Sequence, residues 1–310
     1  MTWPAIDYAD WQPTCDTLHA HTQVPGKLAA RLAPPEPQLL HSALRLTARG
    51  WTTQLLPAPD GSGAFAVALD LHAHEAVAEH SDGRVRRVPL TPDRAVGEVT
   101  RDVLAAVTEL AGPLEFDPTP QEVPWKAPLD ADEEHATYDP EQVATYLAAA
   151  ARAGLVLAAF RAPYRGRSTP VNAWWGSFDL GVNLFSGRPA EPPADDFIMR
   201  NSMDAQEIAA GWWPGDRNYP RAAFYVYAHP APPGFETAEL SNPAARWDAT
   251  LGEYVLDWDD VVAAPDPHAT ALEFLRSVAA HACAVCGWDP ALAGSLAGSP
   301  PPVTPPKEKP

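Results

Sequence analysis

Asp70, His72 and His74 have a spacing that could bind a metal ion. Side chains alternate between the two faces of a β-strand. All three would therefore point to one side if the strand predicted over residues 65–71 continues. Two imidazoles and a carboxylate suit Zn²⁺ or a non-haem iron. This hypothesis makes Asp70 and His74 metal ligands and a divalent metal a candidate cofactor; the alternative is a solvated polar strand end.

His19 begins a second polar group, which Gln23 and Lys27 extend along the sequence. A donor-rich group of this kind could hold a carboxylate or a similar anion, and His19 could transfer a proton. The alternative is that His19 only makes hydrogen bonds within the fold. His19 and His21 could share a metal in a strand, but in a helix they would point about 200° apart. The flanking prolines leave both conformations open.

Glu207 lies ahead of a tryptophan-rich motif that contains Trp213. A carboxylate beneath such a loop would be partly desolvated, which raises its pKa toward the range useful for general acid or base catalysis. The alternatives are a surface glutamate on a short helix that starts near Ser202, and tryptophans that serve only as packing anchors.

Arg49 and Arg188 each follow a predicted strand and stand beside a glycine. Two guanidinium groups at comparable strand ends could hold an anionic ligand between them. Alternatively, each arginine could pair with a carboxylate, such as Asp70 or Asp179, and order a loop.

Three long helices are predicted from an N-cap residue followed by proline. The pairs are Thr91-Pro92, Asp139-Pro140 and Asp266-Pro267, with predicted ends at Gly112, Gly154 and Gly287. Alternating apolar residues and turn signals predict strands over residues 44–49, 65–71, 84–90, 177–185, 223–228 and 253–258. Short strands joined by turns favour antiparallel pairing.

The order of elements predicts an α+β fold with two similar halves, each an antiparallel sheet packed against a long helix. The halves span residues 1–116 and 117–293, and duplication and chance similarity both remain open. The second half contains a long segment over residues 189–220, which we expect to roof a cleft between the halves. The proline-rich tail over residues 294–310 is predicted to be disordered.

The composition restricts the class of partner. A net charge of −18 disfavours nucleic acid and anionic membranes. The N-terminus lacks the basic and then apolar order of a signal peptide, and we expect a cytoplasmic protein that binds a small molecule. Its oligomeric state stays open.

Several short motifs together resemble one protein family. In chain order they are Trp3-Pro4, Thr17-Leu18-His19, Thr22-Gln23, Gly26-Lys27, Thr47-Ala48-Arg49-Gly50, Leu69-Asp70 with His74, His135 with Tyr138-Asp139-Pro140, Pro170-Val171, Trp175-Gly176-Ser177-Phe178-Asp179, Phe185-Ser186-Gly187-Arg188, Glu207 with Trp213-Pro214-Gly215, and Ala223-Phe224-Tyr225 with Tyr227. With them the chain resembles a bacterial family known only as a domain of unknown function, as far as about Trp288. The resemblance implies no reaction.

One position departs from that family. The resemblance leads us to expect a histidine where this chain has Asn172. Asparagine can hydrogen-bond but cannot take up a proton near neutral pH. An altered or inactive member and a simple hydrogen-bonding replacement both remain open.

These residues lead to two main hypotheses about function. The first is an enzyme that acts on a small polar or anionic molecule, with His19 or Glu207 as the proton-transfer group. The second is a non-catalytic binding protein that uses the same cleft, and a third is a scaffold. The residues expected to bind the ligand are Gln23, Lys27, Arg49, Asn172, Arg188, Trp213 and Tyr225.

Overall fold

The computed structural model describes residues 2–240 and 242–297 as an α+β fold. Its α-helices in chain order are α1 Tyr8–Leu32, α2 Val96–Ala111, α3 Pro140–Arg161, α4 Phe197–Ser202, α5 Trp258–Ala263, α6 Pro267–Val285 and α7 Pro290–Ala297. Its strands are β1 Leu44–Thr47, β2 Gly50–Thr52, β3 Leu56–Pro57, β4 Ala64–Asp70, β5 Glu75–His80, β6 Val85–Pro89, β7 Asn172–Trp174, β8 Asp179–Pro189, β9 Ala205–Trp213, β10 Ala223–His229, β11 Arg246–Asp248 and β12 Glu253–Asp257.

All of these strands belong to one sheet with antiparallel neighbours, as the turn-linked pattern predicts. Its order is β11-β12-β10-β9-β8-β7-β1-β2-β4-β5-β6, and β3 pairs with β4. The two predicted halves meet where β1 pairs with β7, with Arg45 opposite Asn172. The sheet is therefore continuous at the position where we expected a cleft. Duplication of the two halves stays a prediction.

The segment over residues 189–220, expected to be a roof, is largely part of the sheet. It contains α4 and then β9, which pairs with β8 on one side and β10 on the other. The expectation of a long loop was wrong because β9 alternates weakly: only its final residues are strongly aromatic. Two parts of this segment remain outside the sheet: the connection over residues 190–204, which carries α4, and residues 214–220.

The structure confirms the three predicted long helices, but not all of their bounds. Asp139 and Asp266 cap α3 and α6 as predicted. The helix α2 begins at Val96 and not at Pro92, since Asp93 has φ 67°, which a right-handed helix does not permit. It ends at Gly112, as predicted. The helix α3 continues past Gly154 to Arg161.

The longest helix, α1, was not among the predicted helices. Pro13 and Pro25 lie inside it, and proline removes a helical hydrogen bond. Burial of most of its length compensates for this, because α1 packs against α2 and α3 and against the strands β1, β3 and β4. Tertiary packing, which a sequence pattern does not reveal, stabilises this helix.

The helix α3 is long and apolar enough to cross a membrane by length and composition alone. In the fold it is a core helix, in which Val143, Ala150, Val156 and Phe160 are fully buried. At the C-terminus, α7 covers residues 294–297 of the tail that was predicted to be disordered. Residues 298–310 lie outside the described part of the chain.

The side chains of β8 alternate between an apolar face and a polar face of the sheet. Leu180, Val182 and Leu184 join the main core together with residues of α1, α3 and α6. Because side chains alternate along a strand, Asp179 and Asn183 point to the opposite face, away from the long helices. Most of the candidate functional side chains lie on that polar face or on α1.

Gly26 provides a test of how α1 is held. A Cβ atom at this position would lie 2.1 Å from Cγ of Trp175, in the turn between β7 and β8. We expect Gly26→Ala to lower the free energy of unfolding by about 1–3 kcal/mol through overpacking, measured by urea denaturation. Gly294→Ala in α7 is the control, since no atom lies within 4 Å of its added Cβ. Equal stability of the two variants would contradict this packing.

Candidate functional site

The predicted proton-transfer residue His19 is part of an internal contact. It lies in α1, and its Nε2 donates to the backbone carbonyls of Trp175 and Gly176, both at 3.0 Å. Its ring stacks on Phe178 with 4.9 Å between centroids. Burial lowers the pKa of His19 to about 4, so the ring is neutral near pH 7. His19 therefore positions the β7–β8 turn, which is the structural alternative considered for it.

Gln23 holds the long connection between α2 and α3. Its Nε2 donates to the carbonyl of Gln121 at 3.0 Å, and its Oε1 accepts from the amide of Gln121 at 2.9 Å. Lys27, one turn further along α1, donates to Oε1 of Gln121 at 3.4 Å. The helix thus brings His19, Gln23 and Lys27 onto one stripe at i, i+4 spacing. Gln23 uses its amide on the protein's own backbone and not on a ligand.

The predicted metal ligands Asp70 and His74 have other partners. The strand β4 ends at Asp70, whose Oδ2 accepts from Nε of Arg49 at 2.6 Å. Its Oδ1 accepts from the backbone amides of His72 and Ala73 and forms the turn. The expectation that the strand continues was wrong because His74 has φ 55° in that turn.

No group of three or more potential metal ligands exists among the described residues. His74 Nδ1 lies 3.1 Å from the hydroxyl of Tyr138. The geometry of the turn therefore does not support the predicted metal site.

One of the two arginines of the predicted clamp already has a partner. Arg49 lies in the β1–β2 turn and pairs with Asp70, whereas Arg188 is exposed near the end of the long strand β8. A shared anion between them stays a prediction. Arg49 follows the loop-ordering alternative.

Asn172 lies in the centre of the sheet, and it is fully buried. Its Oδ1 accepts a hydrogen bond from the guanidinium of Arg45 across the β1–β7 pair. Its Nδ2 is buried with no hydrogen-bond partner among the described residues. The side chain thus ties the two predicted halves together, and the β7–β8 register places it opposite Gly181.

A set of buried and half-buried titratable side chains lies on the polar face of the sheet. We call it the polar-face cluster, and it comprises Asp179, Glu207, Tyr225, Tyr227 and Glu253. Strand register places these residues on the same face, because Gly211 of β9 stands opposite both Gly181 and Tyr225, and Ala209 stands opposite both Asn183 and Tyr227. Of the predicted residues, Glu207, Tyr225 and Trp213 converge here.

The cluster forms a row along the strand direction, with Tyr225 and Tyr227 two residues apart on β10. The hydroxyl of Tyr225 donates to Oδ2 of Asp179. The rings of Tyr225 and Tyr227 are parallel, with 6.2 Å between centroids. Tyr227 lies near the carboxyl group of Glu207 and acts to lower its pKa, and Trp213 borders the row at 5.4 Å from the ring of Tyr225. Groups that can carry a proton thus follow one another along this face from Asp179 to Glu207.

Gly211 makes this arrangement possible. A Cβ there would lie 2.3 Å from the hydroxyl oxygen of Tyr225, so only glycine lets the ring lie flat on β9. Gly181 and Gly211 stand opposite each other in the β8–β9 pair. Together they leave room for the side chain of Tyr225 from the neighbouring strand β10. A tyrosine held down in this way points its hydroxyl at Asp179.

Burial dominates the electrostatics of the cluster. It raises the pKa of Glu207 to about 7, against the opposite effects of Asn183, Tyr227 and the charge of Arg167. Burial also raises the pKa of Glu253 to about 8 and that of Asp179 above its ordinary value. Glu207 is only 3% exposed, and its Oε2 has no hydrogen-bond partner among the described residues.

The connection over residues 190–204 borders the Glu207 end of the row. His229, opposite Glu207 in the β9–β10 pair, has Nε2 3.2 Å from the carbonyl of Glu191. On the other side of Glu207, Ser186 donates to the side chain of Gln206 at 3.1 Å. The sequence predicted a loop near Glu207. In the structure, the connection that contains α4 occupies this place.

Sequence reasoning named Tyr227 only as an aromatic residue in the motif with Tyr225, and it missed Glu253 as a member of the cluster. Their signal is the period of two along the strands, which puts Tyr225 and Tyr227 on one face. Glu253 opens a predicted strand, and its alignment with Tyr227 depends on the β10–β12 register. Register is set by long-range pairing, which a single sequence does not reveal.

Glu207 should make stability depend on pH. Its folded pKa of about 7 lies above the unfolded value of 4.5, so the stability present below about pH 4.5 is lost as the pH rises through 7. We expect Glu207→Gln to stabilise the fold by roughly 3 kcal/mol at pH 8, and by far less at pH 5. Urea denaturation at the two pH values measures this difference.

Glu79→Gln is the matched control for Glu207→Gln, because Glu79 is an exposed glutamate on a strand of the same sheet. We expect its effect to be small and similar at pH 5 and pH 8. A gain for Glu207→Gln that is equal at the two pH values would contradict the raised pKa.

Comparison with known proteins agrees with the resemblance found from the motifs. None of the curated proteins and none of the solved structures that were searched matches this chain. A family model matches residues 3–294, which include α1, the polar-face cluster and most of α7. The chain therefore belongs to DUF5996, a family of unknown function.

Proposed function

We propose that the protein is an enzyme that binds a small polar molecule at the polar-face cluster and exchanges a proton with it through Glu207. The observation that carries this proposal is the unpartnered Oε2 of a nearly fully buried glutamate. An unsatisfied buried carboxylate oxygen costs about 1–3 kcal/mol or more. A fold retains such a cost most readily where a ligand supplies the missing donor.

The acceptor atoms of the cluster favour a ligand with N–H or O–H donors. The row offers the carboxyl groups of Asp179, Glu207 and Glu253 and two phenolic hydroxyls, all of which can accept hydrogen bonds. Arg49, which was expected to hold an anion, is neutralised by Asp70 elsewhere. We therefore assign a small amine or polyol, and not an anion, to this face.

Glu207 has the properties of a general acid–base. A pKa of about 7 gives similar populations of the acid and the carboxylate near neutral pH, which is the condition under which proton transfer is most effective. Tyr227 beside it can orient the carboxyl group. Tyr225 and Trp213 provide an aromatic wall for the body of the ligand.

Access to Glu207 requires movement, because its Oε2 is buried in the closed arrangement. We assign this movement to the connection over residues 190–204, in which Glu191 contacts His229 through its backbone carbonyl and Asp204 accepts a hydrogen bond from Gln38. Long surface connections next to a site commonly act as lids. Phe197 on α4 is 64% exposed, so it has apolar surface to bury on a bound ligand.

A non-catalytic binding protein is the second candidate function. Asn172 favours it, since the resemblance leads us to expect a proton-accepting histidine there. The same ligand would bind the same face, with Glu207 as a hydrogen-bonding group only. Under both hypotheses we propose a cytoplasmic protein whose partner is a small molecule and neither nucleic acid nor membrane, as its net charge of −18 favours.

Thermal shift assays at pH 7 with two matched panels test the ligand class. We expect small primary amines or polyols to raise the melting temperature of the wild type through Glu207, and any shift caused by carboxylates of similar size to be equal in the wild type and in Glu207→Gln. Tyr225→Phe removes the hydroxyl bonded to Asp179 and keeps the ring, so it should reduce the shift; Glu207→Gln should abolish it. Glu79→Gln should retain it.

The two candidate functions differ in the fate of the bound molecule. Incubation of any stabilising compound with the wild type and analysis by NMR should show turnover that Glu207→Gln abolishes if the protein is an enzyme. Binding without turnover would favour the second candidate. Stabilisation by carboxylates that Glu207→Gln abolishes, or full shifts by amines or polyols in both cluster variants, would contradict the site itself.

A further inference from the structure

Lys27 is buried without a counter-charge. It is 8% exposed, and lysine is almost never so deeply buried unless it is paired. Its ammonium group makes one long hydrogen bond, 3.4 Å to Oε1 of Gln121, and lies 5.8 Å from the centre of the Trp175 ring. In the described part of the chain, no carboxylate stands within ion-pair distance of it. Asp117 acts on its charge only from further away.

A surface depression of about 440 Å³ opens beside this lysine. Its size falls in the range of small-molecule sites. Ala30 and Phe116 supply apolar lining, and Gln121 supplies an amide. Arg31 also lines the depression, but its guanidinium is paired with Glu115 at 2.9 Å. Among the residues that line the depression, Lys27 is thus the cation that has no counter-charge and could pair with a ligand.

We propose that this depression binds a small organic monocarboxylate, with its carboxylate on the Lys27 ammonium and its apolar body against Phe116 and Ala30. One negative charge balances the unpaired lysine. Two negative charges would face Asp117 and Glu115, which line the same depression. The site is separate from the polar-face cluster, and it uses residues of α1 and of the connection between α2 and α3.

The connection already depends on α1 for its position. Gln23 fixes the backbone of Gln121 on both sides, so the amide of Gln121 stands beside the lysine before any ligand arrives. Preorganised donors of this kind reduce the ordering cost of binding. Trp175 under the ammonium keeps it directed along the wall of the depression.

Lysine labelling tests the proposal on the unmodified protein. The chain has four lysines, Lys27, Lys126, Lys307 and Lys309, so mass spectrometry can follow acetylation of each by acetic anhydride. Burial lowers the pKa of Lys27, which favours the reactive neutral amine. Lys126, which is exposed, is the internal reference for reagent loss.

We expect benzoate to protect Lys27 and not Lys126. At a benzoate concentration about ten times its dissociation constant, acetylation of Lys27 should slow about tenfold by mass action. Benzamide, which has the same shape without the charge, should give no protection, and inorganic phosphate should give little. Benzoate should also raise the melting temperature of the wild type but not that of Lys27→Met.

Three results would overturn the assignment. They are an unchanged rate at Lys27 up to the solubility limit of benzoate, equal protection by benzamide, and equal protection by phosphate. The labelling uses the wild type and stands even if Lys27→Met fails to fold. Glu207→Gln should retain full protection, and its loss would overturn the claim that the two sites are separate.

Discussion

Alternation along β8 is the constraint on which both the core and the candidate site depend. Leu180, Val182 and Leu184 bury their side chains under the long helices. The residues between them must then face the other way, and this is what places Asp179 and Asn183 on the polar face. A shift of one residue would bury the aspartate in the core and expose the leucines. The apolar side therefore fixes the register that assembles the acidic row.

The polar row is costly for the fold, and the cost is concentrated on one residue. Asp179 recovers part of its desolvation through the hydroxyls of Ser177 and Tyr225. Glu207 recovers less, since one of its oxygens is unpartnered. If burial served only packing, an apolar side chain of similar size would serve better. The uneven satisfaction of these two carboxylates is the reason to place proton transfer at Glu207 and ligand positioning at Tyr225.

The sequence predicts much of the fold and little of the site. N-cap residues and alternation are local signals, and they located the starts of α3 and α6 and strands such as β4 and β10. The helix α1 escaped because its two prolines argue against a helix locally, while its stability comes from packing. His19, Gln23 and Lys27 were rightly singled out as polar positions. Their role could not be told from the sequence, because their partners Gln121 and Trp175 are distant along the chain.

The turn between β7 and β8 connects the two proposed sites physically. Trp175 in this turn underlies the Lys27 ammonium, and Asp179 begins the strand just beyond it and ends the tyrosine row. Phe178 between them is buried against His19, so the turn is held from the core side. A ligand at one site could influence the other only if the turn had two arrangements with different affinities. A turn anchored by a buried histidine and a packed glycine on α1 favours a single arrangement, and therefore two sites that bind independently.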